Sequence, residues 1–146
     1  MLTILTQCGN MVMSKRSNGP ILKHKSNKLE EKNMRKLIAY CGLDCEKCDA
    51  RVATLNDDND LREKTAKFWS ELNGVTITAD MINCMGCRVD GVKTPFCSGL
   101  CQIRKCALGK GIGTCGECSD MEQCQIVGMV LSNNSEAVEN LKKQTT

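Results

Sequence analysis

The chain has 146 residues, twelve cysteines, one His and a net charge of +3, a length that suits a single domain. Leu, Ile, Val and Phe together supply 31 residues, beside one Trp and one Tyr, so a large aliphatic and aromatic core is excluded and something else must help hold the fold. Residues 1–40 carry eight Lys or Arg against Glu30 and Glu31, whereas residues 41–146 carry twelve basic and fifteen acidic groups; the cysteine-rich body is thus a poor match for nucleic acid, which demands basic surface.

The segment Met1 to Asn10 has no basic stretch ahead of an apolar run and no small-residue cleavage site, so it does not read as a signal peptide. No stretch approaches the ~18 apolar residues of a membrane span. The expectation is a reduced, cytoplasmic chain, in which paired cysteines point to metal or redox chemistry rather than to disulfides. Residues 1–33 read as a flexible basic tail, polar and without period around Ser14 to Pro20 and His24 to Lys28. Met34 is a candidate start, which would place Cys8 and His24 outside any mechanism. Residues 34–146 form the expected Cys-rich metal-binding domain.

Arg35 to Tyr40 is a brief strand or extended lead-in to Cys41, where Gly42 permits a tight turn. Asp44 suits a cap, and Glu46 to Leu55 reads as a helix with Cys48, Val52 and Leu55 on one face. Asn56 to Asn59 is a turn cluster. Asp60 and Glu63 fit a capping box, opening a helix that Asn73-Gly74 ends. Leu61, Thr65, Phe68, Trp69 and Leu72 share its apolar side, and the aromatic pair reads as core. Val75 to Ile77 is a possible single strand, and Thr78 caps one turn through Ile82. Cys97 to Leu108 reads as a short helix. Ser119 and Glu122 form a second capping box, opening a helix through Leu131 that contains Cys124. Ser135 to Lys142 reads as a weak terminal helix. The expected class is mainly α with irregular loops, metal-stabilised, with at most one or two short strands.

The strongest chemical signal is Cys84-Met85-Gly86-Cys87 and Cys115-Gly116-Glu117-Cys118. Each C-x2-C turn offers two thiolates to one ion, and zinc takes four such ligands at ~2.3 Å in a tetrahedron. The candidate ligands are Cys41, Cys45, Cys48, Cys84, Cys87, Cys97, Cys101, Cys106, Cys115, Cys118 and Cys124. The simplest grouping joins Cys41, Cys45 and Cys48 to Cys84 and Cys87, and Cys97, Cys101 and Cys106 to Cys115, Cys118 and Cys124. Spacing permits an interleaved grouping equally, and a polynuclear cluster would absorb the surplus thiols. Zn2+ is the expected cofactor, with an iron–sulfur cluster as the alternative. Cys41-x3-Cys45-x2-Cys48 matches the ligand spacing of radical S-adenosylmethionine enzymes, and Cys115-x2-Cys118-x5-Cys124 resembles part of an auxiliary-cluster pattern found in some of them. The chain lacks the length and strands of that catalytic core, and Lys47 stands where that family prefers an aromatic. A thioredoxin-like dithiol lacks its βαβ context.

The string Leu37-Ile38-Ala39-Tyr40-Cys41-Gly42-Leu43-Asp44-Cys45-x2-Cys48 resembles the start of a prokaryotic Cys-rich family, domain of unknown function 3795. The resemblance continues at Cys84-x2-Cys87, Cys101-Gln102-Ile103-Arg104-Lys105-Cys106-Ala107 and Cys115-x2-Cys118-x5-Cys124, covering residues 34–130. It implies a metal-binding scaffold without an assigned activity. Met121 departs from the family's usual aromatic, which touches packing alone. Arg104 and Lys105 read as groups that neutralise thiolate sulfur or a carboxylate. The functional expectation is a small, non-enzymatic zinc protein that works through a protein partner. A zinc or thiol enzyme would have to use Asp44, Glu46 or Asp49 as its base, because the body has no His.

Overall fold

The computed structural model describes residues 37–145. The basic tail, Cys8, His24 and the candidate start at Met34 lie outside that span. The described chain is helical with irregular connections, as its patterning predicts. Among the described residues the only β pairing is an isolated antiparallel bridge between Ile38 and Asp44. The strand expected at Val75 to Ile77 does not form, because Ile77 gives its amide to the Ser70 hydroxyl (2.8 Å) instead of to a second strand.

Among the described residues five α-helices carry the fold: α1 (Asp49–Leu55), α2 (Asn59–Asn73), α3 (Gln102–Lys110), α4 (Gln125–Asn133) and α5 (Ser135–Gln144). A 3-10 turn, Cys45–Lys47, precedes α1, and Asp44 accepts the Glu46 amide at 2.9 Å to start it. α2 begins earlier than its capping-box pattern suggests. Asp58, not Asp60, accepts the Leu61 amide (2.9 Å), and Gly74 ends the helix in a left-handed conformation. The turn before α2 tightens at Asp57 (φ 49), which sets Asp58 in the capping position. Asp60 falls in the first turn, where its charge still suits the helix dipole.

Three helices expected to run unbroken are interrupted, each at a cysteine. The segment 46–55 breaks at Cys48, 97–108 at Cys101, and 119–131 at Cys124. These residues adopt extended φ/ψ pairs of −72/123, −68/107 and −75/115 and become the N-caps of α1, α3 and α4. Short turns lie ahead of them at Cys45–Lys47, Phe96–Leu100 and Met121–Gln123. Apolar periodicity runs through such a break without registering it.

Two small cores result. One gathers Ala50, Ala66, Trp69, Ile82 and Cys84, where α1 and α2 meet. The other gathers Ala39, Leu43, Ile103, Cys115, Val127, Val130, Ala137 and Leu141, from α3, α4, α5 and the entry segment. Six of the buried residues in these clusters or beside them are alanines, whose side chains are small, so the apolar term per residue is small. The aromatic pair of α2 divides: Trp69 is buried, whereas Phe68 is 44% exposed. One step around the helix separates the face that meets α1 from the face that meets water.

The terminal helix is more than a weak appendage. Leu141 is fully buried and Ala137 nearly so. α5 lies against two cysteine turns at once. A β-carbon on Gly42, which holds φ +90, would overlap the Ala137 carbonyl and the Leu141 side chain, and one on Gly116 would stand 2.6 Å from the Leu141 carbonyl oxygen. Asn140 Nδ2 donates to the Gly42 carbonyl at 2.9 Å, and Glu136 pairs with Lys47. These glycines permit a helix backbone to approach turns that a side chain would hold away.

Candidate metal centre

All eleven described cysteines are free thiols. Seven of them line one cavity of about 50 Å³ between the two cores: Cys41, Cys45, Cys48, Cys84, Cys87, Cys97 and Cys101. Its remaining wall is mostly apolar, with Ala39, Leu43, Phe96, Ile103 and Val130, joined by Asp44 and Arg51. The simplest grouping by sequence is therefore corrected in one respect. Cys97 and Cys101 face the Cys41 and Cys84 turns, because the break at Cys101 turns the preceding loop away from α3. Of the remaining four, Cys115 feels Cys124, Cys106 and Cys118 as like charges, and Cys101 of the chamber after them.

Backbone geometry prepares these sulfurs for negative charge. Cys41 Sγ receives the Leu43 amide, Cys45 that of Cys87, and Cys87 that of Tyr40. Cys84 receives the Gly86 and Thr94 amides. Cys101 receives that of Arg104 at 3.5 Å, as the first turn of α3 directs its free amides back at the cap. An amide hydrogen bond to sulfur favours thiolate over thiol.

Burial acts in the opposite direction and wins. It pushes the Cys41, Cys45, Cys84 and Cys101 thiols up from their ordinary value, and lifts Cys87 to about 12, with neighbouring thiols adding repulsion. Cys115 is also raised to about 12 by burial. Cys118 behaves differently: the Asp120 amide and the Lys110 ammonium, 3.1 Å from Sγ, lower it. The sulfurs of the chamber are thus met by amide donors, while burial disfavours their charged form. A cation among them would remove that conflict.

The backbone also ties the two groups together. The Cys115 amide donates to the Tyr40 carbonyl at 2.8 Å, directly beside Cys41. Arg88 Nη1 reaches the Ile38 carbonyl (3.2 Å), and Arg51 Nε reaches the Met85 carbonyl (3.0 Å) inside the Cys84 turn.

The family model of DUF3795, described as a protein of unknown function, matches residues 37–129. The chain belongs to this family. No curated protein and no solved structure matches it. In this DUF3795 chain every cysteine of the described span lies within the matched residues, and α5 follows them.

Arg104 and Lys105, singled out in the DUF3795 string, have separate fates. Arg104 Nε donates to the Cys87 carbonyl at 3.4 Å, and its charge lowers Cys87 and Cys101. Lys105 points to solvent as an exposed side chain. Arg51 and Lys110 escape sequence reasoning, since neither stands at a fixed spacing from the sulfur or turn it serves. Among the described residues no three His, Cys, Asp or Glu side chains stand in a ready-made arrangement around one ion. The donor set is of the kind a soft cation takes: the chamber is lined by sulfur, and backbone amides point at that sulfur.

Proposed function

We propose that this protein is a small, non-catalytic metal-binding protein whose cysteines hold zinc, and that the bound metal does the work of a larger core. The observation that carries the reading is the chamber of seven thiols with backbone amides directed at its sulfurs. A thiol gains little from such an amide, whereas a metal-bound thiolate gains charge-assisted hydrogen bonding. When bound, zinc supplies the positive charge that lets these buried sulfurs ionise. The Cys residues of the chamber would hold it, Arg104 would moderate the negative charge, and Phe96, Ile103 and Val130 supply apolar wall.

The cavity offers little to general acid–base chemistry. Asp44 is the carboxylate on its wall, and it is engaged with the Glu46 amide (2.9 Å) and Lys47 (3.5 Å). That supports a structural role over an enzyme.

Elemental analysis of the full chain purified without air tests this. The expected result is colourless protein with more than one zinc per chain. Brown protein with visible charge-transfer absorption would assign the thiols to an iron–sulfur cluster instead. Less than one metal ion of any kind per chain would overturn the proposal.

A further inference from the structure

One helix meets the cysteines of both regions. Cys41 is followed by Gly42, and Cys115 by Gly116. A β-carbon on Gly42 would stand 2.8 Å from Leu141 Cγ, and one on Gly116 would stand 3.3 Å from Leu141 Cβ and 2.6 Å from the Leu141 carbonyl oxygen. A single residue of α5 therefore fills the space over both turns, and it is fully buried there. Ala137, one helical turn earlier, also backs onto Gly42. Asn140 Nδ2 adds a hydrogen bond to the Gly42 carbonyl (2.9 Å), and Glu136 pairs with Lys47.

Little else holds this helix. It has ten residues, of which Ala137 and Leu141 are buried, and a helix so short does not persist alone in water. A break at Asn134 (φ −146, ψ 96) sets it off from α4, and the Asn134 side chain accepts the Ala137 amide at 2.9 Å to start it afresh. Apart from the Cys115–Glu117 turn, the helix it packs on is α4. Such an element docks and leaves as a unit, at the low end of a fold's range of local stabilities. Because Leu141 spans both turns, α5 cannot leave one and stay on the other.

We propose that α5 is a strap that couples the chamber to the Cys115–Cys118 turn. It seats only where both turns hold the backbone shape seen here, and while seated it slows the loss of metal from each. This rests on the metal-binding reading above and adds a regulatory device to it. Gly42 admits the helix at φ +90, and its neighbour Cys41 is a residue that a bound cation would fix in place; Gly116 stands in the same relation to Cys115. Linkage is reciprocal, so the factor by which metal favours docking is the factor by which docking favours metal.

The test perturbs one region and reads the other. The full chain, Cys118→Ser, Leu141→Ala and the double variant are loaded with zinc. Hydrogen exchange of the 135–144 peptide is followed by mass spectrometry, and transfer of chamber zinc to a colorimetric chelator is timed. Cys118→Ser is expected to speed both exchange in α5 and release of chamber zinc about tenfold. In the Leu141→Ala background, which already releases zinc faster, Cys118→Ser should add about twofold or less. Unchanged exchange in α5 on Cys118→Ser overturns the strap and leaves the metal-binding reading standing. Equal acceleration with and without Leu141 also overturns it, because the coupling then runs through the Cys115 amide bond to the Tyr40 carbonyl (2.8 Å). A full chain that holds no zinc overturns both. If Leu141→Ala does not fold, Asn140→Ala, which removes the hydrogen bond to Gly42, takes its place in the cycle.

Discussion

The seven-thiol chamber and the four-thiol group at Cys106, Cys115, Cys118 and Cys124 use the same local device and end in different chemical states. Cys45–Lys47 and Cys115–Glu117 are both single 3-10 turns closed by an amide-to-carbonyl bond from the second cysteine of a C-x2-C pair, at 3.2 and 3.1 Å. Burial drives the first cysteine's thiol up in both turns, at Cys45 and at Cys115. At the edge, Cys118 stands beside Lys110 and the Asp120 amide, which lower it. The turn sets where a sulfur points; its surroundings decide whether it holds a proton. On the proposed reading metal contributes to folding in the chamber, whereas Cys118 at the edge is the thiol whose surroundings favour the thiolate.

The sharpest way to break that comparison is to substitute one cysteine in each region. Cys87→Ser in the chamber is expected to abolish cooperative thermal unfolding, since metal-binding free energy at such a site is folding free energy. Cys118→Ser should leave a cooperative transition at a lower midpoint. Circular dichroism melts of both variants check this, and equal effects would erase the distinction.

A smaller effect is expected from α5, which joins the two regions. Leu141 is fully buried between Gly42 and Gly116, so Leu141→Ala should cost about 2–5 kcal/mol by chemical denaturation. Gly42→Ala forces a β-carbon into the Ala137 carbonyl at positive φ and should cost at least about 2 kcal/mol. If either is silent, α5 does not clamp the cysteine turns.

The smallest effect is at Lys110. Its pairing with Cys118 is exposed, and Lys110→Met should leave the melting midpoint unchanged. With the ammonium gone, the Cys118 pKa rises toward its ordinary value, the thiolate fraction near pH 7.5 falls, and alkylation at Cys118 slows. Peptide mass spectrometry after timed iodoacetamide treatment reads this directly. In the unaltered chain Cys118 should be modified before Cys41, Cys45 or Cys87.

Part of this organisation was legible in the sequence. The mainly helical class, the C-x2-C turns, the cap at Asp44 and the family span follow from residue type and spacing. The breaks at Cys48, Cys101 and Cys124 were not legible, because apolar periodicity continues across them and no propensity rule makes cysteine a helix cap. The assignment of Cys97 and Cys101 to the chamber was hidden for the same reason: it depends on where the chain turns after Cys101. Phe68 was read as core because it shares a helical face with Trp69 in projection, but α1 covers only the Trp69 side. α5 looked weak because its buried stripe is just Ala137 and Leu141, and its contribution comes from the two glycines it meets far away in the chain.

The central claim is that sulfur–metal bonds replace apolar burial as the main support of this fold. Thermal unfolding of the full chain before and after removal of metal by a strong chelator under reducing conditions tests it most directly. A cooperative transition that disappears on stripping and returns when zinc is added back is the predicted result. An unchanged transition in the stripped protein would contradict the account.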